Sequence, residues 1–429
     1  MAKPSPLFLP HLLYILFLLA AAPNQPKAAA APSNTFPGDI AALKAVIAAL
    51  DSSSFPAGSC LSSWDFSLDP CTSAFGPNFT CGLRCDAVSG DGLFARITDL
   101  SLDGAGYSGS LSPLLWSLPF LQSLDLSNNR LSGPIPPPRT AGLPPLLRRL
   151  SLSRNSLSGD VPCFHPAPSL QELYLDGNRF SGPIPSSLPS SLRRLELQSN
   201  GLSGELPDLT QLSNLYFLDA SDNALSGPFP SALPPSLVEL SLRNNLLAGD
   251  LPSTAITALP ALQVLDLSHN VLVGAVPAAA FDHPALEQLT LARNSFEWVE
   301  EPADGGTGSP MVALDLGHNR LAGLLPEFLG SMPHLAALVL ENNRFTGLIP
   351  AQYAMRASGG GGVPFGRLLL AGNYLYGPIP SLFQGMKEGT AMVSLADNCL
   401  FRCPEELFFC AGAEQKPSAT CRNANPMIP

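Results

Sequence analysis

Eight charged or aromatic side chains fall in a regular pattern along the middle of the chain. Each lies directly before, directly after, or three positions after a leucine that recurs at steps of mostly 22 to 26 residues. The eight are Arg149, Tyr174, Arg194, Glu196, Phe217, Asp219, Arg243 and Asp266. Arginine and aromatic residues are the types that dominate binding interfaces. The pattern therefore predicts noncovalent ligand recognition, although Asp219 and Asp266 also belong to a recurring LDLS phrase in which they have the alternative role of keeping the surface hydrated.

The same positions become apolar toward the C-terminal end, where they hold Val339, Leu369 and Met392. A contiguous exposed apolar strip often marks a contact surface. We therefore expect a membrane-bound partner, or a second copy of the chain, to dock there. The alternative is that the C-terminal cap, or the glycine-rich insertion after Ser358, folds over the strip.

One repeat departs from the others and reads SFEWVEEPADGGTGSP, which predicts a loop carrying Trp298, Glu300 and Glu301. Repeat proteins often place specific contacts on such insertions. The alternative role for Trp298 is to fill the core where the usual isoleucine is missing.

Other classes of chemistry are disfavoured. The six histidines are scattered, and no nucleophile lies in a catalytic motif, so we expect no enzymatic activity, no cofactor and no metal. The formal net charge is -11, and no basic stripe is present, which argues against a nucleic-acid partner.

The elements that must position these residues are repeats of the phrase LDLSNNRLSGPIP, which begins at Leu124. About thirteen frames follow one another from Leu100 to a degenerate one at Val393. A fixed period of this length is typical of a solenoid, in which each unit buries its apolar side against its neighbours. Alternating leucines predict a short strand with one buried face, and the recurring asparagine is expected to satisfy backbone groups where the strand ends.

Cysteines flank the repeats in two groups of four, with Cys163 alone between them. The groups are Cys60, Cys71, Cys81 and Cys85 before the repeats, and Cys399, Cys403, Cys410 and Cys421 after them. They predict disulfide-bonded caps over the ends of the core, with zinc binding as the competing interpretation. Four cysteines allow three pairings, so the connectivity stays open. We expect Cys163 to be an inert, half-buried thiol.

The chain divides into four predicted segments. Residues 1–30 carry Lys3 and an apolar run from Leu7 to Ala22, which is typical of a secretory signal peptide. Residues 31–96 form an N-terminal cap, residues 97–398 the repeats and residues 399–429 a C-terminal cap. Without a long apolar segment after residue 30, the sequence predicts a secreted protein in the extracellular space or cell wall.

The N-terminal cap shows a helical spacing of apolar residues, with Asp39 placed as the N-cap. It also contains the sequon at Asn78, for which we expect glycosylation.

The repeat LxxLxLxxNxLxGxIP, with GPIP and GPFP variants and a front cap of helix and cysteines, resembles the plant extracellular leucine-rich-repeat proteins. This group contains receptor-like proteins, receptor-kinase ectodomains and polygalacturonase inhibitors. The resemblance implies a right-handed α/β superhelix of about thirteen repeats, with a parallel concave sheet, a convex side of short 3-10 or irregular segments, and a cell-surface recognition role. It departs from the receptor kinases at CGLRCD around Cys85 and in having no kinase after Cys421, so the kinase-less, secreted members are the nearer match.

Two functions follow from the residues and the resemblance. The first is a receptor-like module that binds a protein, peptide or wall ligand and acts through a membrane receptor kinase in signalling or defence. The second is an inhibitor of microbial cell-wall hydrolases, as in the polygalacturonase inhibitors.

Overall fold

A computed structural model describes residues 34–87, 94–138, 142–404, 406–412 and 414–424. Over this part of the chain, short strands follow one another at the repeat period and build a solenoid of about thirteen turns, as predicted. The expected signal peptide lies outside the described residues. Among the described helices, none has the length and apolar character to span a bilayer.

Almost every turn contributes one strand to an inner sheet and one to an outer sheet. In chain order the strands are β1 Leu83–Ala87, β2 Ala95–Ser101, β3 Ser108–Ser110, β4 Ser123–Asp125, β5 Arg130–Gly133, β6 Arg149–Ser151, β7 Ser156–Asp160, β8 Glu172–Tyr174, β9 Arg179–Gly182, β10 Arg194–Glu196, β11 Gly201–Gly204, β12 Phe217–Asp219, β13 Ala224–Gly227, β14 Glu239–Ser241, β15 Leu246–Asp250, β16 Val264–Asp266, β17 Val271–Val276, β18 Gln288–Thr290, β19 Ser295–Val299, β20 Ala313–Asp315, β21 Ala322–Leu324, β22 Ala337–Val339, β23 Arg344–Gly347, β24 Arg367–Leu369, β25 Tyr374–Pro378, β26 Met392–Ser394 and β27 Cys399–Phe401.

The inner sheet forms the concave face. Within the described residues it has fourteen strands in the order β1-β2-β4-β6-β8-β10-β12-β14-β16-β18-β20-β22-β24-β26, parallel except for the antiparallel pair β1 and β2. The central leucines pair in register, for example Leu195 with Leu173 and Leu218. Because strand side chains alternate, these leucines point into the core, and the residues before and after them point outward.

The outer sheet is interrupted. The nine odd-numbered strands from β3 to β19 form one parallel sheet, and β21, β23, β25 and β27 form a separate group of four in the described structure. The interruption follows β19, where the register shifts between Gly274 and Ala275 opposite Phe296 and Trp298. The unusual repeat therefore marks a break in the outer sheet.

Helices are short and lie between the strands. They are α1 Pro37–Ala48, α2 Pro70–Ser73, α3 Ser253–Thr257, α4 Glu327–Ser331, α5 Ala351–Ala357, α6 Ser381–Gln384 and α7 Ser418–Ala424, with 3-10 turns at Ser52–Ser54, Leu61–Ser63, Pro113–Ser117 and Ala278–Ala280. Prolines immediately precede α3 to α6. Their fixed φ suits the entry to a helix, so the repeated IP and LP phrases set where each convex segment begins.

A continuous core runs through all the turns, and a ladder of asparagines closes one side of it. Asn245 is typical: its Nδ2 donates to the carbonyl oxygens of Leu242 at 3.1 Å and of Ala220 in the preceding turn at 3.0 Å, and its Oδ1 accepts the N–H of Leu225 at 2.9 Å. The ladder comprises Asn129, Asn155, Asn178, Asn200, Asn223, Asn245, Asn270, Asn294, Asn319, Asn343, Asn373 and Asn398. The predicted role of the asparagines is confirmed, and each one also ties its turn to the one before.

The residue directly before most ladder asparagines adopts a left-handed backbone conformation. Among the non-glycine examples are Asn128, Arg154, Ser199, Asp222, Asn244, His269, Arg293, His318, Asn342 and Asp397, with φ between 50° and 58°. This conformation is sterically costly for most residues, and Asn, Asp and His are enriched in it. We call this row of positions the αL edge, because it borders the concave face along most of the solenoid.

The N-terminal cap contains two disulfides, Cys60–Cys81 and Cys71–Cys85. The predicted helix is present, but Asp39 as its N-cap is wrong. The helix begins at Pro37, and the carboxylate of Asp39 is buried, where it pairs with Arg96 at 2.9 Å and accepts the N–H of Ile97 at 3.1 Å. Asp39 thereby joins the helix to the first inner strand of the repeats.

The C-terminal cap contains the disulfides Cys399–Cys421 and Cys403–Cys410. Its Gln415 completes the asparagine ladder. The side-chain Oε1 accepts the N–H of Leu400 at 3.0 Å, and Nε2 donates to the carbonyl of Leu395 at 3.2 Å. Leu400 and Leu395 are the residues that an asparagine of one more turn would bond. Gln415 thus takes the place of that missing asparagine.

All eight cap cysteines pair within their own group, so their sulfur atoms are not zinc ligands. Cys163 is unpaired, as expected, but it is exposed and not half-buried. It lies after the end of β7, between Val161 and Phe164, whose side chains are buried in the core, while its own side chain faces solvent. The four segment boundaries given above remain predictions.

Candidate functional site

Two groups of side chains on the concave face are held together by direct contacts. In the first, an Arg149 Nη1 lies 2.7 Å from Glu172 Oε2, and the Tyr174 hydroxyl donates to the same oxygen at 3.0 Å. The guanidinium carbon of Arg149 lies 4.2 Å from the centroid of the Tyr174 ring. The three side chains come from adjacent strands β6 and β8, so the parallel register brings them together.

The second group continues from the first along the sheet. The guanidinium carbon of Arg194 lies 3.5 Å from the centroid of Phe217 and 6.0 Å from that of Tyr174. Its Nε lies 2.6 Å from Glu196 Oε1, and the other oxygen of Glu196 accepts Nε2 of Gln198 at 3.2 Å. We call the six residues Arg149, Glu172, Tyr174, Arg194, Glu196 and Phe217 the concave cluster.

The electrostatics of the concave cluster fix its charge. Partial burial opposes the charge of Arg149 and of Arg194, but the hydrogen bonds to Glu172 and Glu196 outweigh it and raise the pKa of both. Burial, together with the hydrogen bond to Glu172, raises the pKa of Tyr174. At neutral pH the guanidinium groups are charged and the phenol is neutral, so Tyr174 keeps its proton as a donor.

Two further carboxyl groups border the cluster beyond Phe217. Burial raises the pKa of Asp219, and the charges of Glu196 and Asp222 raise it further, while Ser221 N–H bonds to its Oδ1 at 2.9 Å. Burial also raises the pKa of Glu239, where Arg194 acts in the opposite direction. A cationic group of a ligand would relieve this cost, so the border of the cluster is suited to receive one.

Arg243 and Asp266 lie outside the concave cluster. Asp266 Oδ1 accepts the N–H of Ser268 at 2.9 Å and its hydroxyl at 2.6 Å, which closes a local turn. This contact gives Asp266 a local structural role, and both its binding role and its hydration role stay predictions. Arg243 is exposed beside the αL edge.

The expected apolar strip is not an exposed surface. Val339 and Leu369 are only 5% and 7% exposed, whereas Met392 is 61% exposed. Val339 and Leu369 are direct partners in β22 and β24. At the strand spacing of about 4.8 Å, two branched apolar side chains cover one another. The prediction of an exposed strip is therefore wrong for these two residues. Of the three residues predicted to form the strip, Met392 is the exposed one.

The unusual repeat also differs from both expectations. Trp298 lies on strand β19, not in a loop, and with 48% exposure it does not fill the core. Val299 packs against the core in its place. Glu300 accepts the backbone N–H of Ala278 at 3.1 Å, and Glu301 is exposed.

The sequon asparagine, Asn78, lies in a loop of the N-terminal cap and is partly exposed. The hydroxyl of Thr80 bonds to that of Ser63 at 2.9 Å. Phe79, the middle residue of the sequon, is buried. Glycosylation of Asn78 stays a prediction.

Clusters of three metal-ligating side chains are scarce in the part of the chain that the structure describes. Within it, the one trio of thiol and carboxylate groups close enough to share a metal is Cys60, Cys81 and Asp103, and its two sulfur atoms form a disulfide. Glu172 is not among the eight residues predicted for the site, although it joins Arg149 to Tyr174. Its position directly before a strand leucine was the available signal.

Comparison with known proteins places these features in a family context. The leucine-rich-repeat family matches residues 119–180, 235–296 and 311–332. The chain is 39% identical over 84 residues to a probable leucine-rich repeat receptor-like serine/threonine-protein kinase of Arabidopsis thaliana, an alignment that covers 18% of this chain and 8% of the kinase.

Solved structures resemble a larger part of the chain. The plant peptide hormone receptor RGFR1 in complex with RGF2 is 27% identical with a TM-score of 0.59, covering 71% of this chain and 47% of that one. The ectodomain of GASSHO1/SCHENGEN3 from Arabidopsis thaliana, in complex with CASPARIAN STRIP INTEGRITY FACTOR 2, is 28% identical with a TM-score of 0.59 and coverages of 75% and 41%. The chain thus corresponds to less than half the length of these two receptors.

Proposed function

Since the chain is a leucine-rich-repeat protein of the plant extracellular receptor-like kind, we propose that it binds a protein or peptide ligand on its concave face. The observation that carries the proposal is the concave cluster, in which two guanidinium groups are stacked on aromatic rings and paired with carboxylates before any ligand arrives. Such preorganisation lowers the entropy cost of binding.

The chemistry of the cluster defines the ligand. Arg149 and Arg194 present donors that Glu172 and Glu196 do not fully use, because a guanidinium has five N–H groups. Tyr174 and Phe217 offer apolar ring area, and Asp219 and Glu239 favour a positive group. We therefore propose a ligand with an acidic or carbonyl-rich part over the arginines and a basic side chain near Asp219.

We further propose that the protein acts through a membrane partner. The support is similarity: the receptor kinase HAESA, in complex with the peptide hormone IDA and the co-receptor SERK1, is 25% identical with a TM-score of 0.50 over 85% of this chain and 70% of that one. That assembly belongs to HAESA. For this chain, the receptor kinase partner and a role in signalling or defence at the extracellular face are part of the proposal.

The experiment compares the wild-type mature chain with the variant Arg149→Ala/Arg194→Ala/Phe217→Ala as baits for extracellular wash fluid. The exposed, unpaired Arg154→Ala is the matched control. Bound peptides and proteins are identified by mass spectrometry and then titrated in purified form. We expect a ligand that wild type and the control bind and that the triple variant loses. A ligand bound equally by all three would exclude the concave cluster as its site.

Inhibition of a microbial cell-wall hydrolase is the second candidate, and the shared leucine-rich-repeat architecture favours it only at the level of the family. It is tested by adding the purified protein to polygalacturonase and measuring the release of reducing ends. Strong inhibition would establish this function in place of the receptor-like one.

A further inference from the structure

A second charged surface lies outside the concave cluster, along three consecutive turns beside and on the αL edge. It consists of Arg243, Leu246, His269, Val271 and Arg293, which we call the edge patch. Leu246 is 54% exposed and Val271 is 50% exposed, and the three basic side chains are exposed as well.

The basic side chains of the edge patch enter no ion pair among the described residues. Among the residues that the structure describes, Arg243 and Arg293 enter no ion pair, in contrast to Arg149 and Arg194. His269 lies between them: burial lowers its pKa, and the charges of Arg243 and Arg293 lower it further, whereas Asp266 and Asp222 act in the opposite direction. The two guanidinium groups are therefore near enough to repel the protonated imidazole.

The backbone holds part of this surface in place. His269 and Arg293 have φ of 56° and 57°, in the left-handed region that arginine rarely adopts. Leu246 begins β15 and Val271 begins β17, and these neighbouring strands are paired with Ala248 opposite Val271, so both aliphatic residues lie on hydrogen-bonded strands. A rigid frame that presents unpaired cations in a chain of net charge -11 favours a local negative partner.

We propose that the edge patch binds an acidic, aliphatic segment of a partner protein, in extended conformation and running across the turns. In an extended segment alternate side chains point to opposite sides. Carboxylates on one side then meet Arg243, His269 and Arg293, which span about 10 Å over two turn spacings. Aliphatic side chains on the other side cover Leu246 and Val271. Because Leu246 and Val271 have no counterpart in a sugar polymer, the surface favours a peptide over an acidic polysaccharide.

The test uses a fluorescent synthetic peptide in which aspartate alternates with valine, titrated into the full mature chain. Comparison peptides replace aspartate by lysine or valine by glycine, and sodium polygalacturonate is a competing probe. We expect binding of the aspartate–valine peptide alone, weakened by salt. Binding should strengthen from pH 7 toward pH 5.5, since carboxylates favour the protonated form of His269.

Variants decide whether the edge patch is responsible. Arg243→Glu/Arg293→Glu is expected to lower the affinity about tenfold or more, and Leu246→Ser/Val271→Ser to lower it several-fold. Arg154→Glu is the matched control, because Arg154 is exposed, unpaired and left-handed on the same edge but has no exposed aliphatic neighbour. The Arg149→Ala/Arg194→Ala/Phe217→Ala variant should bind the peptide as wild type does, which separates this proposal from the concave one.

Three results would overturn the proposal: equal binding of the lysine peptide, no loss in the Arg243→Glu/Arg293→Glu variant, or binding of polygalacturonate without the peptide. Circular dichroism and thermal melting of each variant show whether the fold is retained. If the double glutamate variant is unfolded, Arg243→Gln/Arg293→Gln replaces it, with the same expected direction.

Discussion

The guanidinium carbon of Arg194 stacks 3.5 Å from the centroid of the Phe217 ring, and these two residues are direct partners in neighbouring strands of the concave sheet. The same guanidinium is hydrogen-bonded to Glu196. Its orientation is therefore set from two sides before a ligand binds.

We expect Arg194 and Phe217 to be energetically coupled. In a double-mutant cycle of Arg194→Ala and Phe217→Ala, the coupling should be about 0.5–1 kcal/mol, the range for partly exposed cation–π pairs. Urea unfolding provides the free energies. The control cycle pairs Phe217→Ala with Arg193→Ala and should be additive, since Arg193 is exposed and its side chain enters none of the cation–π pairs found among the described residues. Zero coupling in the first cycle would contradict the stacking.

Asn245→Ala should destabilise the solenoid by roughly 1–3 kcal/mol, because the N–H of Leu225 and the carbonyl of Ala220 lose a buried partner. The control is Asn128→Gly, which removes an exposed amide at a left-handed position that glycine tolerates. Equilibrium unfolding in urea is the measurement, and equal effects of the two substitutions would argue against the ladder.

Asp219→Asn should make the protein more stable at neutral pH. The folded-state pKa of Asp219 is raised above its usual value of 3.8, so ionisation costs more in the folded chain than in the unfolded chain. The stability difference between variant and wild type should be smallest below pH 3.8 and grow as the pH rises through the folded-state pKa. Unfolding free energies measured across this range check the sign, and a variant that is less stable at pH 7 would contradict it.

Gln415→Ala should loosen the last turn without unfolding the rest. Removing the side-chain amide frees the N–H of Leu400 and the carbonyl of Leu395, which exposes the end of the ladder. Hydrogen exchange should accelerate at Leu400, while the amide of Leu225 in the middle of the solenoid serves as the internal control. Unchanged exchange at Leu400 would show that the cap does not depend on Gln415.

Cys163 should react with a thiol reagent in the native protein at one equivalent per chain, because it is exposed and unpaired. The eight disulfide cysteines should remain unreactive until the protein is reduced. Cys163→Ser is expected to abolish the reaction and to leave the melting temperature within the range of neutral surface substitutions.

The sequence predicted the features that follow from the repeat itself. The leucine positions determined the inner strands, and the asparagine positions determined the hydrogen-bonded ladder. Grouping of the cysteines predicted caps at both ends, but not their pairing. Periodicity was sufficient for these features because each one recurs at the same place in nearly every turn.

Features that depend on neighbouring turns were harder to predict. Whether Val339 is exposed depends on what Leu369 places beside it one turn later, and alternation along the strand contains no such information. Gln415 does not belong to the repeat pattern, and it reaches the end of the asparagine ladder only because the C-terminal cap folds back onto the last turn. The left-handed αL edge has a signal in the sequence, because Asn, Asp, His and Gly are frequent directly before the ladder asparagine.

The glutamine at the end of the ladder has a consequence for how such a molecule can change in length. Along the ladder, each turn is hydrogen-bonded by one side-chain amide of the following turn. At the end of the ladder Gln415 supplies this amide, although it lies outside the repeating pattern. Whole turns can therefore be gained or lost before this point while Gln415 still makes the same hydrogen bonds to the last turn. The number of turns on the concave face can in this way vary without a change in the residue that closes the asparagine ladder.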